Sequence, residues 1–162
     1  MIIRAIGPSE VRIIQNLAHR IWPDTFSEIL SKAQVEYMLN WMYSPEKLVS
    51  QLEQGHHFFL LTDQDHPTGF VGIEQQEDQR VKIHKLYLLP SEQGKGLGKM
   101  MLDFVIDWAK ERSAPSVYLN VNRYNKAVDF YKHIGMNILH SEDIDIGNGY
   151  LMEDYVMELP LN

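Results

Sequence analysis

One short run limits the folds open to this chain more than any other: Gln93-Gly94-Lys95-Gly96-Leu97-Gly98-Lys99, lying between an apolar strand-like segment and a long amphipathic stripe. Glycine weakens the interior of a helix or a strand, so three glycines at alternate positions mark a turn in which backbone, not side chain, meets a neighbour. A helix entered from such a turn presents unpaired N–H groups and the positive end of its dipole, an anion site built without large side chains. Lys95 and Lys99 add positive charge to a chain whose formal net charge is -7. That balance repels a polyanion such as nucleic acid and suits a cationic or neutral partner. Two better known glycine motifs do not fit. A P-loop needs four residues between its glycines and then Lys-Ser/Thr, and a dinucleotide fingerprint needs G-x-G-x-x-G with an acidic ribose partner.

The rest of the chain supplies strands and helices around this turn. Residues 2–6 read as a strand, followed by a helix capped by Ser9, carrying Val11, Ile14, Leu17, Ala18 and Ile21 and stopping near Pro23. Residues 35–43 are apolar nearly all round, and Ser44-Pro45 opens a further helix. Three strands follow at 57–61, 69–75 and 80–89, separated by polar turns at 62–68 and 76–79. Leu97, Met101, Phe104, Val105 and Trp108 form one helical stripe to about Arg112; then come a strand at 117–121, a short helix at 126–133 ended by Gly135, and two strands at 136–146 and 150–159 around Gly147-Asn148-Gly149. The order is α/β with a mixed sheet and helices flanking it.

The strand at 80–89 carries an irregularity. Its apolar residues fall on odd positions at Val81 and Ile83 and on even positions at Leu86 and Leu88. A period-two pattern changes phase when a residue is inserted, so a β-bulge is expected near His84 and Lys85; burial on both faces is the competing explanation, since Tyr87 and Leu89 are also apolar.

Leu86-Tyr87-Leu88-Leu89-Pro90 followed by Gln93-Gly94-Lys95-Gly96-Leu97-Gly98 resembles the acetyl-CoA signature of the GCN5-related N-acetyltransferases, Gln/Arg-x-x-Gly-x-Gly/Ala after a strand. A second block, Asn125-Lys126-Ala127-Val128-Asp129-Phe130-Tyr131 and then Gly135-Met136, is similar to that family's downstream motif. The resemblance implies a GNAT-like acyl-CoA N-acyltransferase fold: a mixed, mostly antiparallel sheet of about seven strands with a bulged central strand and flanking helices. It also implies acetyl-CoA as cosubstrate, the backbone of Leu86, Tyr87 and Leu88 pairing with pantetheine, and Gln93, Gly94, Lys95, Gly96, Leu97, Gly98 and Lys99 around the pyrophosphate. Asn122 and Asn125 are rival cofactor contacts, because one residue separates Asn125 from Ala127 where the family more often has two.

By the same resemblance Tyr131 is the general acid that protonates the departing thiolate. Where related enzymes often carry a carboxylate on the bulged strand this chain has Lys82 and His84, so Glu74 and His84 stand as substitutes for the base. The absence of cysteine excludes a disulfide scaffold and an acyl-cysteine relay, leaving direct attack by a primary amine in a ternary complex. The aromatic segment Trp22, Phe26, Tyr37, Trp41 and Tyr43 is somewhat similar to the bacterial polyamine acetyltransferases and suits a cationic acceptor, a small molecule or a peptide. A non-catalytic acyl-CoA sensor is the rival reading. The remaining expectations are one domain over 1–162, a cytoplasmic protein with no nucleic acid, membrane or metal partner, and a homodimer left open.

Overall fold

A computed structural model describes residues 1–161. Strands β1 (Ile2–Ile6), β2 (His57–Asp63), β3 (His66–Gln75), β4 (Val81–Leu88), β5 (Ser116–Asn122), β6 (Asn137–Gly147) and β7 (Tyr150–Pro160) form a seven-stranded sheet in the order β1-β2-β3-β4-β5-β7-β6. All neighbours are antiparallel except β4 and β5. That pair is joined through helix α4 (Leu97–Glu111), the kind of crossover a parallel pair requires. Helices α1 (Val11–Thr25), α2 (Lys32–Met42), α3 (Pro45–Glu53) and α5 (Ala127–His133) complete the flanking layers. The mixed, mostly antiparallel sheet expected from the sequence is the one observed.

Alternation along the strands divides the core in two. Phe59, Leu61, Val71, Ile73, Val81 and Ile83 pack with Met101, Val105 and Trp108 of α4 on one face. Phe58, Leu60 and Phe70 pack on the other with Ile14, Leu17 and Ile21 of α1, Met38 of α2 and Leu48 of α3. Consecutive residues of β2 thus serve opposite cores, as the pleat dictates. Ser31 and Ser44 cap α2 and α3 by accepting from the amides of Gln34 and Lys47.

Three local expectations need correction. Ser9 does not cap α1: Pro8–Glu10 forms a 3-10 turn closed by the Glu10 amide on the Gly7 carbonyl at 3.0 Å. Pro23 does not stop that helix, which continues to Thr25 while Trp22 packs on Phe26 with ring centroids 4.7 Å apart. The broad turn at 62–68 shrinks to Gln64 and Asp65, both in the left-handed region (φ 49° and 68°), which suits a two-residue hairpin. Thr62 and Thr68 are buried in the strands, and Thr68 Oγ1 donates to the Leu61 carbonyl.

Candidate active site

The β-bulge lies where the phase change put it. Gly72 of β3 pairs with Lys85 and the next residue, Ile73, pairs with Ile83, so His84 is the inserted residue. Its consequence appears on the other side of the strand. Parallel pairing covers only Val81–Ile83 against Val117–Leu119, although β4 continues to Leu88 and β5 to Asn122. Leu86, Tyr87 and Leu88 keep their partners Val71, Phe70 and Gly69 on β3. Towards β5 no strand pairs with them, and there the Leu88 carbonyl accepts only from the Gln93 side chain, at 3.4 Å.

Beyond Pro90 the chain turns into α4. Gly94 and Gly96 have φ of 80° and 78°, a conformation that strains any residue with a Cβ, and Gly96 is the N-cap of α4 without a capping side chain. Among the described residues the amides of Gly94 to Lys99 have no protein acceptor. Gly98 serves a different need: a Cβ there would lie 3.3 Å from Cζ of Phe130, so its absence lets α4 approach α5. Leu97 is buried beneath the turn, while Gln93, Lys95 and Lys99 are exposed. Lys95 pairs with Glu92 at 3.3 Å and Lys99 with Asp103 at 2.8 Å, surface ion pairs that add little stability.

Tyr131 lies in α5 within the core on the α4 side, 6% exposed, and burial pushes its phenol well above the ordinary range. Tyr87 is raised as well, first by burial and then by the charges of Tyr131 and Asp154, which puts it within electrostatic reach of both. Asn122 and Asn125 use their side-chain oxygens locally, accepting from the amides of Tyr124 and Ala127 at 3.0 and 2.9 Å. Their side-chain N–H groups carry no bond to the described residues. Asn122 is the more buried of the two.

Glu74 and His84 are brought together: His84 Nε2 lies 3.0 Å from Glu74 Oε1. His56 joins them, its ring stacked on His84 with centroids 4.5 Å apart and its Nε2 3.4 Å from the same oxygen. Burial lowers the pKa of His84 to about 4 against the pull of Glu74, and the charges of Lys82 and Lys85 push it further down. For Glu74 burial raises the pKa, but the hydrogen bond from His84 and the nearby rings bring it below the usual carboxylate value. The three groups offer ligand atoms within 4.8 Å of one another. Gln76 Nε2 already donates to Glu74 Oε1 at 2.7 Å, and the positive lysines that depress the two histidines oppose a cation there; the set is better matched to handling a proton.

Lys85, named from the sequence only as a neighbour of the expected bulge, is 2% exposed. Its Nζ donates to Gln51 Oε1 at 3.1 Å and sits 5.3 Å from the Tyr43 ring centroid and 5.5 Å from that of Phe58. Burial brings its pKa down to about 8. The aromatic acceptor wall is also corrected. Trp22, Phe26 and Tyr43 are buried in the core, since they fill the space between α1, α2 and β3. Tyr37 donates to the Ile146 carbonyl at 2.8 Å, and of the five only Trp41, 45% exposed, offers a largely open ring.

Known proteins are similar to this chain in sequence and in fold. The chain is 33% identical over 108 residues to the peptidyl-lysine N-acetyltransferase YjaB of Salmonella typhimurium, a match covering 65% of this chain and 68% of that protein. It is 25% identical to the [ribosomal protein bS18]-alanine N-acetyltransferase of Haemophilus influenzae over 77% of this chain and 80% of that one. Matches to N-acetyltransferases of Methanocaldococcus jannaschii and Mycobacterium bovis take in only 42% and 57% of their length. In three dimensions the chain superposes on the PaiA N-acetyltransferase of Thermoplasma acidophilum, solved in complex with coenzyme A, with a TM-score of 0.82, 24% identity and 98% of each chain covered. No helix among the described residues is long and apolar enough to cross a membrane. Since the profile of the Acetyltransferase (GNAT) family matches residues 14–136, most of the chain and both motif blocks, this protein belongs to the GNAT acetyltransferases.

Proposed function

We propose that this protein transfers an acetyl group from acetyl-CoA to a primary amine, on a polyamine-like small cation or a peptide, by direct attack in a ternary complex. The observation that carries the reading is the early end of β4–β5 pairing at Ile83 and Leu119. An amide-bearing arm satisfies the free edge of Leu86, Tyr87 and Leu88 as a strand would. The amides from Gly94 to Lys99, with Gln93, Leu97 and the two lysines around them, suit a pyrophosphate at the end of that arm. Asn122 and Asn125 remain rival contacts through their side-chain N–H groups. When bound, acetyl-CoA supplies an acyl group activated as a thioester.

The chain must then manage two protons. An alkyl ammonium of pKa near 10 is deprotonated about one part in a thousand at pH 7, a handicap of about 4 kcal/mol. The Glu74–His84 pair takes the proton from the amine: His84 is neutral at pH 7 and ionised Glu74 stabilises its protonated form. Tyr131, held protonated by burial, donates to the sulfur as the C–S bond breaks, and the second proton shed by the nitrogen as the amide forms restores the phenol. Having no cysteine, the chain cannot relay the acyl group through a thiol of its own.

The test is thiol release from acetyl-CoA across polyamines, aminoglycosides, amino acids and peptides with free N-termini or lysines. Release that depends on an amine, with an N-acetylated product, is expected. Coenzyme A binding without stimulation by any amine would instead favour an acyl-CoA sensor.

A further inference from the structure

Asp154 of β7 pairs across the ladder with Asn122 of β5, on the part of β5 that has left β4 behind. The residue is 5% exposed. Its Oδ2 accepts from Asn120 Nδ2 at 3.4 Å, and the same amide nitrogen donates to Glu142 Oε2 at 3.1 Å. Its Oδ1 is buried with no hydrogen-bond partner among the described residues. A buried carboxylate oxygen is destabilising unless a donor reaches it. The Arg123 guanidinium, whose charge reaches Asp154, is turned to the Glu142 carbonyl and the Asp143 carboxylate. Burial raises the Asp154 pKa, and Glu142 adds to the rise against the hydrogen bond from Asn120 and the charges of Arg123 and Lys82. The charge of Asp154 also reaches Tyr87, which feels Tyr131 as well. A buried carboxylate oxygen without a donor therefore lies opposite the stretch of β5 that β4 no longer pairs.

Resting on the acetyl-transfer reading above, we propose that Asp154 is the seat of the acceptor's primary ammonium group. Oδ1 receives the N–H bond, Asn120 fixes the carboxylate through Oδ2, and Glu142 contributes a second negative charge at the rim. This site selects alkylammonium acceptors over neutral amines and alcohols.

Asp154→Asn keeps the shape and removes the charge. The probe is n-butylammonium, titrated into the coenzyme A complex by calorimetry, with n-butanol as the neutral control. Wild type is expected to bind the ammonium and not the alcohol, and the variant to bind it at least about tenfold more weakly. Coenzyme A affinity should stay within about twofold, and the variant should melt no lower than wild type, because relieving an unpaired buried charge does not destabilise a fold. Equal butylammonium binding by both proteins, no binding by wild type, or a joint loss of coenzyme A affinity and melting temperature would each overturn the assignment. Wild type that binds butylammonium through Asp154 but releases no thiol with any amine would leave this seat standing and refute acetyl transfer instead.

Discussion

Ile83 is the last residue of β4 to pair with β5, opposite Leu119, and the next residue, His84, is the one inserted against β3. A bulge strengthens local twist and bends its strand, so the insertion on one edge and the lost pairing on the other are two aspects of one distortion. The catalytic expectations concern residues on both sides of the gap so formed.

Tyr131→Phe removes only the phenolic oxygen from a side chain that otherwise fills the core. Turnover is expected to fall about 10²- to 10⁴-fold, the range for a lost general acid, with coenzyme A affinity nearly unchanged. Steady-state kinetics beside a binding titration checks this. Equal loss of turnover and affinity would show that Tyr131 only packs.

The Glu74–His84 pair links stability to pH. His84 titrates at about 4 in the fold against 6.5 for a free side chain, so between these values the unfolded chain binds the extra proton and stability rises with pH. Glu74, lowered from 4.5, acts in the same sense further down, its contribution being lost as pH falls through its folded value. Chemical denaturation from pH 4 to 7 should show wild type losing stability on acidification and His84→Gln losing less. Parallel curves would remove the buried ring from the account.

Lys85 has a pH signature of the same sign at higher pH. Its folded pKa of about 8 lies below the ordinary 10.5, and between the two the unfolded chain again holds more protons, so stability rises with pH in that alkaline window. At neutral pH a buried, charged amine with one amide acceptor is costly, and Lys85→Met is expected to stabilise the fold by about 1–3 kcal/mol in urea denaturation. Destabilisation of that size would mean that the contacts with Gln51, Tyr43 and Phe58 outweigh desolvation.

These residues also mark what the sequence makes readable. The bulge is local: a phase change between Ile83 and Leu86 needs one inserted residue wherever the strand is placed. The glycine turn is local too, since Gly94 and Gly96 need left-handed backbone and Gly98 close packing. Asp154, His56 and Lys85 gain their meaning only through long-range register, β7 on β5, the start of β2 beside β3, and α3 over the bulge. The one local signal at Asp154 is an aspartate inside a strand-like run, where that residue is disfavoured. Trp22, Phe26 and Tyr43 misled for the converse reason. Aromatic composition does not tell a core from a pocket wall; the packing of α1 on the sheet does.

The central claim is that the open edge of β4 and the amide-rich start of α4 receive one ligand. Hydrogen exchange followed at single amides with and without coenzyme A tests it most directly. The account predicts strong slowing at Leu86 to Leu88 and at Gly94 to Lys99, with little change on β1 or β6. Coenzyme A binding that leaves both segments exchanging as before would contradict it.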